Sequence, residues 1–103
     1  MAWTLAAKVS ALDQREVVAA ECGGRRLAIY RLEGAYFATS DACPHQGGSL
    51  SDGCVVDGFI ECPAHFALFD IRTGACVHDP RLELRRYRVT IVDDEVWIDL
   101  LGA

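Results

Sequence analysis

The sequence lacks long apolar runs and lacks an excess of basic charge. Its 103 residues include 10 Lys or Arg and 15 Asp or Glu, a net charge of −5 with histidine neutral. This balance argues against non-specific nucleic-acid binding, which requires a basic surface. No apolar run approaches the roughly 20 residues of a membrane-spanning helix. The first residues, MAWTLAAK, lack the basic start and apolar core of a signal peptide, so we expect a cytoplasmic protein.

The sequence also lacks a cysteine pattern typical of a disulfide framework. There are five cysteines, an odd number, at uneven spacing. Without an export signal, metal ligation or unpaired thiols explain them better than disulfides do. Cys22, Cys54 and Cys76 stand outside any motif, and we interpret them as small core residues rather than ligands.

No segment shows a sustained helical period, and beyond a possible helical turn within residues 11–18 the pattern is that of an all-β protein. Short apolar segments alternate with turn residues. We predict strands at residues 16–22, 25–32, 35–39, 86–92 and 95–100. Gly23-Gly24 and Asp93-Asp94 are the predicted turns of two hairpins. The chain length fits one domain, residues 1–103.

The segment from residue 41 to residue 80 differs from the rest of the chain. It holds all three prolines, all three histidines and four of the five cysteines. Within it, Cys43-Pro44-His45 and Cys62-Pro63-Ala64-His65 each combine a thiolate with an imidazole. Such a ligand set also suits zinc. Zinc fingers, however, usually place two like ligands close together, whereas each arm here carries one cysteine and one histidine.

This mixed-arm spacing, with sixteen residues between the two motifs, resembles the Rieske iron–sulfur family. The similarity covers essentially the whole chain and is greatest to the ferredoxins of bacterial aromatic-ring-hydroxylating dioxygenase systems. The supporting segments are residues 35–39 (AYFAT), 51–53 (SDG) and 69–74 (FDIRTG). The resemblance implies a Rieske-type antiparallel β-sandwich with a small cluster-binding subdomain of two loops, within about residues 41–80.

The resemblance also implies one [2Fe–2S] cluster. Cys43 and Cys62 would bind one iron, and His45 and His65 the other. Two neutral imidazoles in place of two thiolates raise the reduction potential into the Rieske range of roughly −150 to +300 mV.

Four neighbouring positions differ from the Rieske proteins of respiratory complexes. Those proteins carry a disulfide between the arms, and Gly48 and Ala64 stand at the matching positions here. They also donate serine and tyrosine hydroxyls to sulfur, where this chain has Ala67 and Phe69. Hydrogen bonds to sulfur raise the potential, so we predict a value below zero.

The histidine count then bears on function. With His45 and His65 assigned to a cluster, only His78 remains, and an oxygenase iron site needs two histidines and a carboxylate. No glycine fingerprint of a nucleotide-binding unit is present. We therefore expect an electron carrier rather than an enzyme. The expected carrier is a monomer that docks transiently on an NAD(P)H-dependent reductase and on a Rieske non-haem iron oxygenase.

Two alternatives stay open at the level of sequence. One is the small Rieske subunit of an assimilatory nitrite reductase. The other is a zinc-stabilised interaction module, in which the same four residues hold a colourless metal.

Overall fold

The computed structural model describes residues 2–44, 47–64 and 67–101. These residues form nine strands and two short 3₁₀ helices. The strands are β1 Trp3–Lys8, β2 Val17–Cys22, β3 Arg25–Leu32, β4 Ala35–Ser40, β5 Cys54–Val56, β6 Phe59–Glu61, β7 Leu68–Asp70, β8 Arg86–Val92 and β9 Glu95–Asp99. The 3₁₀ helices are Val9–Leu12 and Leu50–Asp52. In the described part of the chain, no helix has the length and apolar character needed to cross a membrane.

The strands form two antiparallel sheets, which confirms the predicted all-β class. The larger sheet has the order β1-β9-β8-β4-β3-β2, and the smaller has the order β5-β6-β7. The predicted hairpins are present: β2 pairs with β3 from Val17↔Tyr30 to Cys22↔Arg25, and β8 pairs with β9. Gly23 and Gly24 have φ values of 56° and 78°. This positive-φ pair gives the turn a twist that matches the flanking strands.

Strand β3 is buried on both faces and joins two cores. Leu27 and Ile29 point into one core, which they share with Ile98 of β9. Tyr30 points into the second core, which includes Phe69 of the small sheet. A strand covered on both sides needs apolar side chains on both sides. This explains the unbroken apolar stretch in the middle of RRLAIYRL.

The small sheet was not predicted, because residues 41–80 were interpreted as loops. Each of its strands is only three residues long, too short to display an alternating pattern. The sheet is stabilised by packing Ile60 and Phe69, both fully buried, into the core beneath β3. Strand β1 was also not predicted. It is an edge strand that pairs only with β9, with an irregularity between Leu5 and Ala7.

The three cysteines outside the motifs have different environments. Cys22 and Cys76 are 1% and 8% exposed, as their interpretation as core residues requires. Cys54 is exposed at the start of β5, so the same interpretation is wrong for it. Strand β5 is an edge of the small sheet, and Cys54 stands on its solvent side.

Candidate metal centre

The two cysteine–histidine arms have the same local construction. The backbone N–H of Cys43 donates to the carbonyl of Gly48, and that of Cys62 donates to the carbonyl of Ala67, both at 2.8 Å. Each bond joins the first and last residues of a six-residue segment, 43–48 in the first arm and 62–67 in the second. Each segment also stands on an antiparallel residue pair, Ala42↔Ser49 below the first arm and Glu61↔Leu68 below the second. In both arms the cysteine therefore directly follows an antiparallel residue pair and is held by a backbone hydrogen bond to the residue five positions later.

The two arms touch each other. A Cβ atom added at Gly48 would lie 3.3 Å from Sγ of Cys62 and 3.2 Å from Cβ of Ala64. The backbone of the first arm thus passes directly beside the thiol of the second. Positions 48 and 64 face each other, as expected from the resemblance to proteins with a disulfide there. With glycine and alanine at these positions no such bond forms, and no disulfide joins the five cysteines of the chain.

The thiols are buried while the tips of the arms are exposed. Cys43 is 2% exposed and Cys62 is fully buried. Pro44, Pro63 and Ala64, next to them in the chain, are exposed. A buried thiolate requires a compensating positive charge, and a metal centre supplies one. Two buried thiols on touching arms, with exposed residues next to them in the chain, fit an iron–sulfur group close to the surface.

The other two predicted ligands, His45 and His65, lie outside the described residues. Their role as ligands therefore stays a prediction. Among the residues that the structure does describe, no set of three or more His, Cys, Asp or Glu is placed to hold a metal ion.

Asp41 organises the base of the first arm, and sequence reasoning did not identify it. It is 2% exposed and accepts hydrogen bonds from the Ser51 backbone N–H, the Ser49 hydroxyl and Nε of Arg26. Burial alone would raise the pKa of Asp41, but these hydrogen bonds outweigh it and hold the pKa below its ordinary value. In the sequence, only its position two residues before Cys43 could have indicated a role for Asp41. No local pattern indicates that Arg26, fifteen residues earlier, is its partner.

Gly53 allows the end of the first loop to lie against the second arm. A Cβ atom at this position would stand well inside van der Waals distance of the carbonyl oxygen of Glu61, the residue before Cys62. Its backbone is extended, with φ −86° and ψ −167°, so any residue could adopt the conformation. Space, rather than backbone freedom, requires glycine here.

Ala67 and Phe69, the two positions without a hydroxyl, belong to the core that also contains Cys43 and Cys62. Phe69 is fully buried, and Ala67 packs on the same core. His78 is exposed in the segment after the small sheet. The preceding residue, Val77, donates its N–H to the carbonyl of Leu68 at 2.8 Å, which places this segment beside the second arm.

Comparison with known proteins supports the same family. Residues 2–88 match the family described as the Rieske [2Fe-2S] domain. The chain is 43% identical over 79 residues to the ferredoxin component of the p-cumate 2,3-dioxygenase system of Pseudomonas putida, covering 75% of this chain and 67% of that one. It is 36% identical to the anthranilate 1,2-dioxygenase ferredoxin subunit of Burkholderia cepacia, covering 95% and 92%.

Solved structures agree with this similarity. The structure of a complex of reduced oxygenase and oxidized ferredoxin in carbazole 1,9a-dioxygenase matches with a TM-score of 0.82 at 30% identity, covering 93% of this chain and 91% of that one. A nitrite reductase small subunit from Mycobacterium tuberculosis has a TM-score of 0.84 at 24% identity, covering 93% and 92%, and this likeness shows the fold alone. The chain belongs to the Rieske [2Fe–2S] family, and its cofactor is one Rieske-type [2Fe–2S] cluster.

Proposed function

We propose that this protein is a one-electron carrier that passes electrons from an NAD(P)H-dependent reductase to a Rieske non-haem iron oxygenase acting on aromatic rings. The observation that carries the proposal is the pair of touching arms, which hold two buried thiols directly beneath exposed tips. Its relatives are named as ferredoxin components of dioxygenase systems. Such a component transfers electrons and performs no substrate chemistry alone.

The proposed ligands are Cys43 and Cys62 on one iron and His45 and His65 on the other. When bound, the cluster accepts and releases one electron, at a potential raised by its two neutral imidazoles. The chain positions the thiolates through the backbone bonds that close each arm, and it excludes water from them by burial. It offers sulfur no hydroxyl at Ala67 or Phe69. We therefore place the potential at the low end of the Rieske range, below zero.

The arms also define the proposed docking surface. Among the described residues at and beside the arms, the exposed apolar side chains include Pro44, Pro63, Ala64 and Val77, and the exposed His78 follows Val77. Val77 is 52% exposed. Transient electron-transfer contacts are small, and a partner seated here would approach the cluster closely. The net charge of −5 favours encounter with a basic rim on that partner.

The setting of this carrier is part of the proposal. Residues 1–103 act as one domain, the carrier is monomeric, and it works in the cytoplasm, where NAD(P)H is available to a reductase. Sedimentation of the purified holo-protein at several concentrations tests the monomer. A concentration-dependent increase in mass would contradict it.

Reconstitution tests the function. The holo-protein is combined with NADH and with the reductase and oxygenase of the p-cumate, naphthalene and biphenyl systems in turn. We expect oxygenated product with at least one oxygenase, only when this chain is present, and one electron taken up per chain. Absence of product with every oxygenase, together with stable co-purification with a nitrite reductase large subunit, would favour the nitrite reductase alternative.

A further inference from the structure

We propose that Asp41 and Arg26 form a charged clasp that positions the first ligand arm and sets the reduction potential through two opposed charges. Asp41 is a positioning residue in this account, because it acts on the cluster through the arm that carries Cys43. The inference rests on the proposed cluster ligands. It goes beyond the electron-carrier function and depends on no partner protein.

The carboxylate of Asp41 connects the two ends of the arm. Oδ1 accepts the Ser51 backbone N–H at 2.8 Å, and Oδ2 accepts the Ser49 hydroxyl. The Ser49 hydroxyl also lies 3.0 Å from that of Ser51. The main-chain carbonyl of Asp41 accepts the N–H of Leu50 at 2.8 Å. Asp41, which precedes the arm, thus makes three hydrogen bonds, one to each of the three residues that follow the arm.

Arg26 ties this closed loop to the large sheet. Its Nε donates to Oδ2 of Asp41 at 2.8 Å, and its carbonyl accepts the Asp41 N–H at 3.1 Å. Arg26 lies on β3, the strand that is buried on both faces. The first arm is therefore anchored at its base to the central core strand β3.

The two charges are unequally buried. The Asp41 side chain is 2% exposed, whereas that of Arg26 is 52% exposed. Water screens the guanidinium more than the carboxylate, so their fields at the cluster do not cancel. Removing the carboxylate charge makes reduction easier and raises the potential. Removing the guanidinium leaves a buried negative charge without its counter-ion and lowers the potential.

These opposite shifts distinguish the clasp from a purely structural role, because damage to the arm has no reason to reverse its sign between the two partners. Voltammetry at pH 8 compares the holo-protein with its Asp41→Asn and Arg26→Gln variants. The matched control is Arg31→Gln, which removes another arginine of β3. Its Nε donates to the carbonyl of Leu12 at 2.8 Å, and it forms no ion pair with a carboxylate among the described residues. We expect a rise for Asp41→Asn, a fall for Arg26→Gln and no shift for the control.

Release of iron to a chelator, followed by loss of visible absorbance, measures the positioning role. Ser49→Ala removes the hydrogen bonds of the Ser49 hydroxyl to Asp41 and to Ser51 and removes no charge. We expect it to speed release several-fold with an unchanged potential, and Asp41→Asn to speed release at least as much. Should Asp41→Asn fail to fold, Arg26→Gln and Ser49→Ala still test the clasp.

Shifts of the same sign for Asp41→Asn and Arg26→Gln, or release rates equal to that of Arg31→Gln, would overturn the inference. None of these measurements uses a reductase or an oxygenase. Opposite shifts in a protein that supports no oxygenase would leave the clasp in place and refute only the proposed electron delivery.

Discussion

Gly48 of the first arm lies directly against Cys62 of the second. A Cβ atom at position 48 would be 3.3 Å from Sγ of Cys62. The same Cβ position is 3.2 Å from that of Ala64. One arm therefore limits the movement of a thiol on the other. The contact joins residues that lie fourteen positions apart in the sequence.

A disulfide can be introduced between the two arms. Disulfides need Cβ atoms about 3.5–4.5 Å apart, so the 3.2 Å at positions 48 and 64 requires only a few tenths of an ångström of relaxation. We expect the Gly48→Cys/Ala64→Cys holo-protein to form this bond on oxidation and to release iron to a chelator several-fold more slowly. Thiol counting and visible absorbance follow the two effects, and the single variants are the controls. Equal release before and after reduction of the bond would contradict this account of the arm contact.

The space at Gly53 determines how the second arm is placed. Gly53→Ala introduces a clash with the Glu61 carbonyl, and we expect destabilisation of about 3 kcal/mol or more. Gly24→Ala is the matched control, because its φ of +78° makes alanine unfavourable by about 1–2 kcal/mol while nothing lies within 4 Å of the new Cβ. Chemical denaturation of the holo-proteins measures both. A smaller effect at Gly53 than at Gly24 would show that the chain relaxes around this position.

Hydroxyl groups placed near the sulfurs should raise the potential. We expect Ala67→Ser and Phe69→Tyr each to raise it by about 60 mV, the equivalent of about 1.4 kcal/mol for one hydrogen bond to a charged group. Protein-film voltammetry of the holo-proteins measures the shift. Phe37→Tyr, which alters a partly buried ring of the same core, is the control and should leave the potential unchanged. A starting potential well above +100 mV would contradict the assignment of a hydroxyl-poor site.

Cys22 and Cys54, two thiols outside the site, should differ in their rates of alkylation. Burial raises the pKa of the Cys22 thiol, whereas Cys54 is exposed. At pH 8.5 we expect alkylation of the holo-protein to modify Cys54 first and Cys22 only on unfolding. The pKa of the Cys22 thiol is higher in the folded than in the unfolded protein. The contribution of this thiol to the free energy of unfolding is therefore complete below the unfolded pKa of about 8.5, and it declines as pH rises toward the folded pKa. Peptide mass mapping against time checks the order, and equal rates would contradict it.

The sequence predicted the framework well because its hairpins carry strong local signals. Gly23-Gly24 and Asp93-Asp94 mark their turns, and β8 was predicted with both ends correct. Strands β5 to β7 were not predicted because a three-residue segment is too short to show an alternating apolar pattern. These strands are stabilised by the packing of Phe69 and Ile60 beneath β3. Such long-range packing leaves no mark on the short segments themselves.

The site shows the same division between local and long-range information. Motif spacing predicts Cys43 and Cys62 as ligands, and the structure buries both thiols on arms that touch each other. Their role as ligands stays a prediction. The roles of Asp41 and Arg26 depend on a contact between residues fifteen positions apart, which no local pattern records. The sequence shows a glycine at position 53, but it does not show why glycine is needed there. The need arises from the nearby carbonyl of Glu61, which only the fold reveals.

The most direct test of the central claim is pulsed EPR of the reduced holo-protein labelled with ¹⁵N only in histidine. The account predicts an iron–sulfur signal coupled to two histidine nitrogens, one from His45 and one from His65. The same two couplings should persist in a His78→Ala variant. An iron–sulfur signal without histidine coupling, or a colourless protein that holds stoichiometric zinc, would contradict the claim.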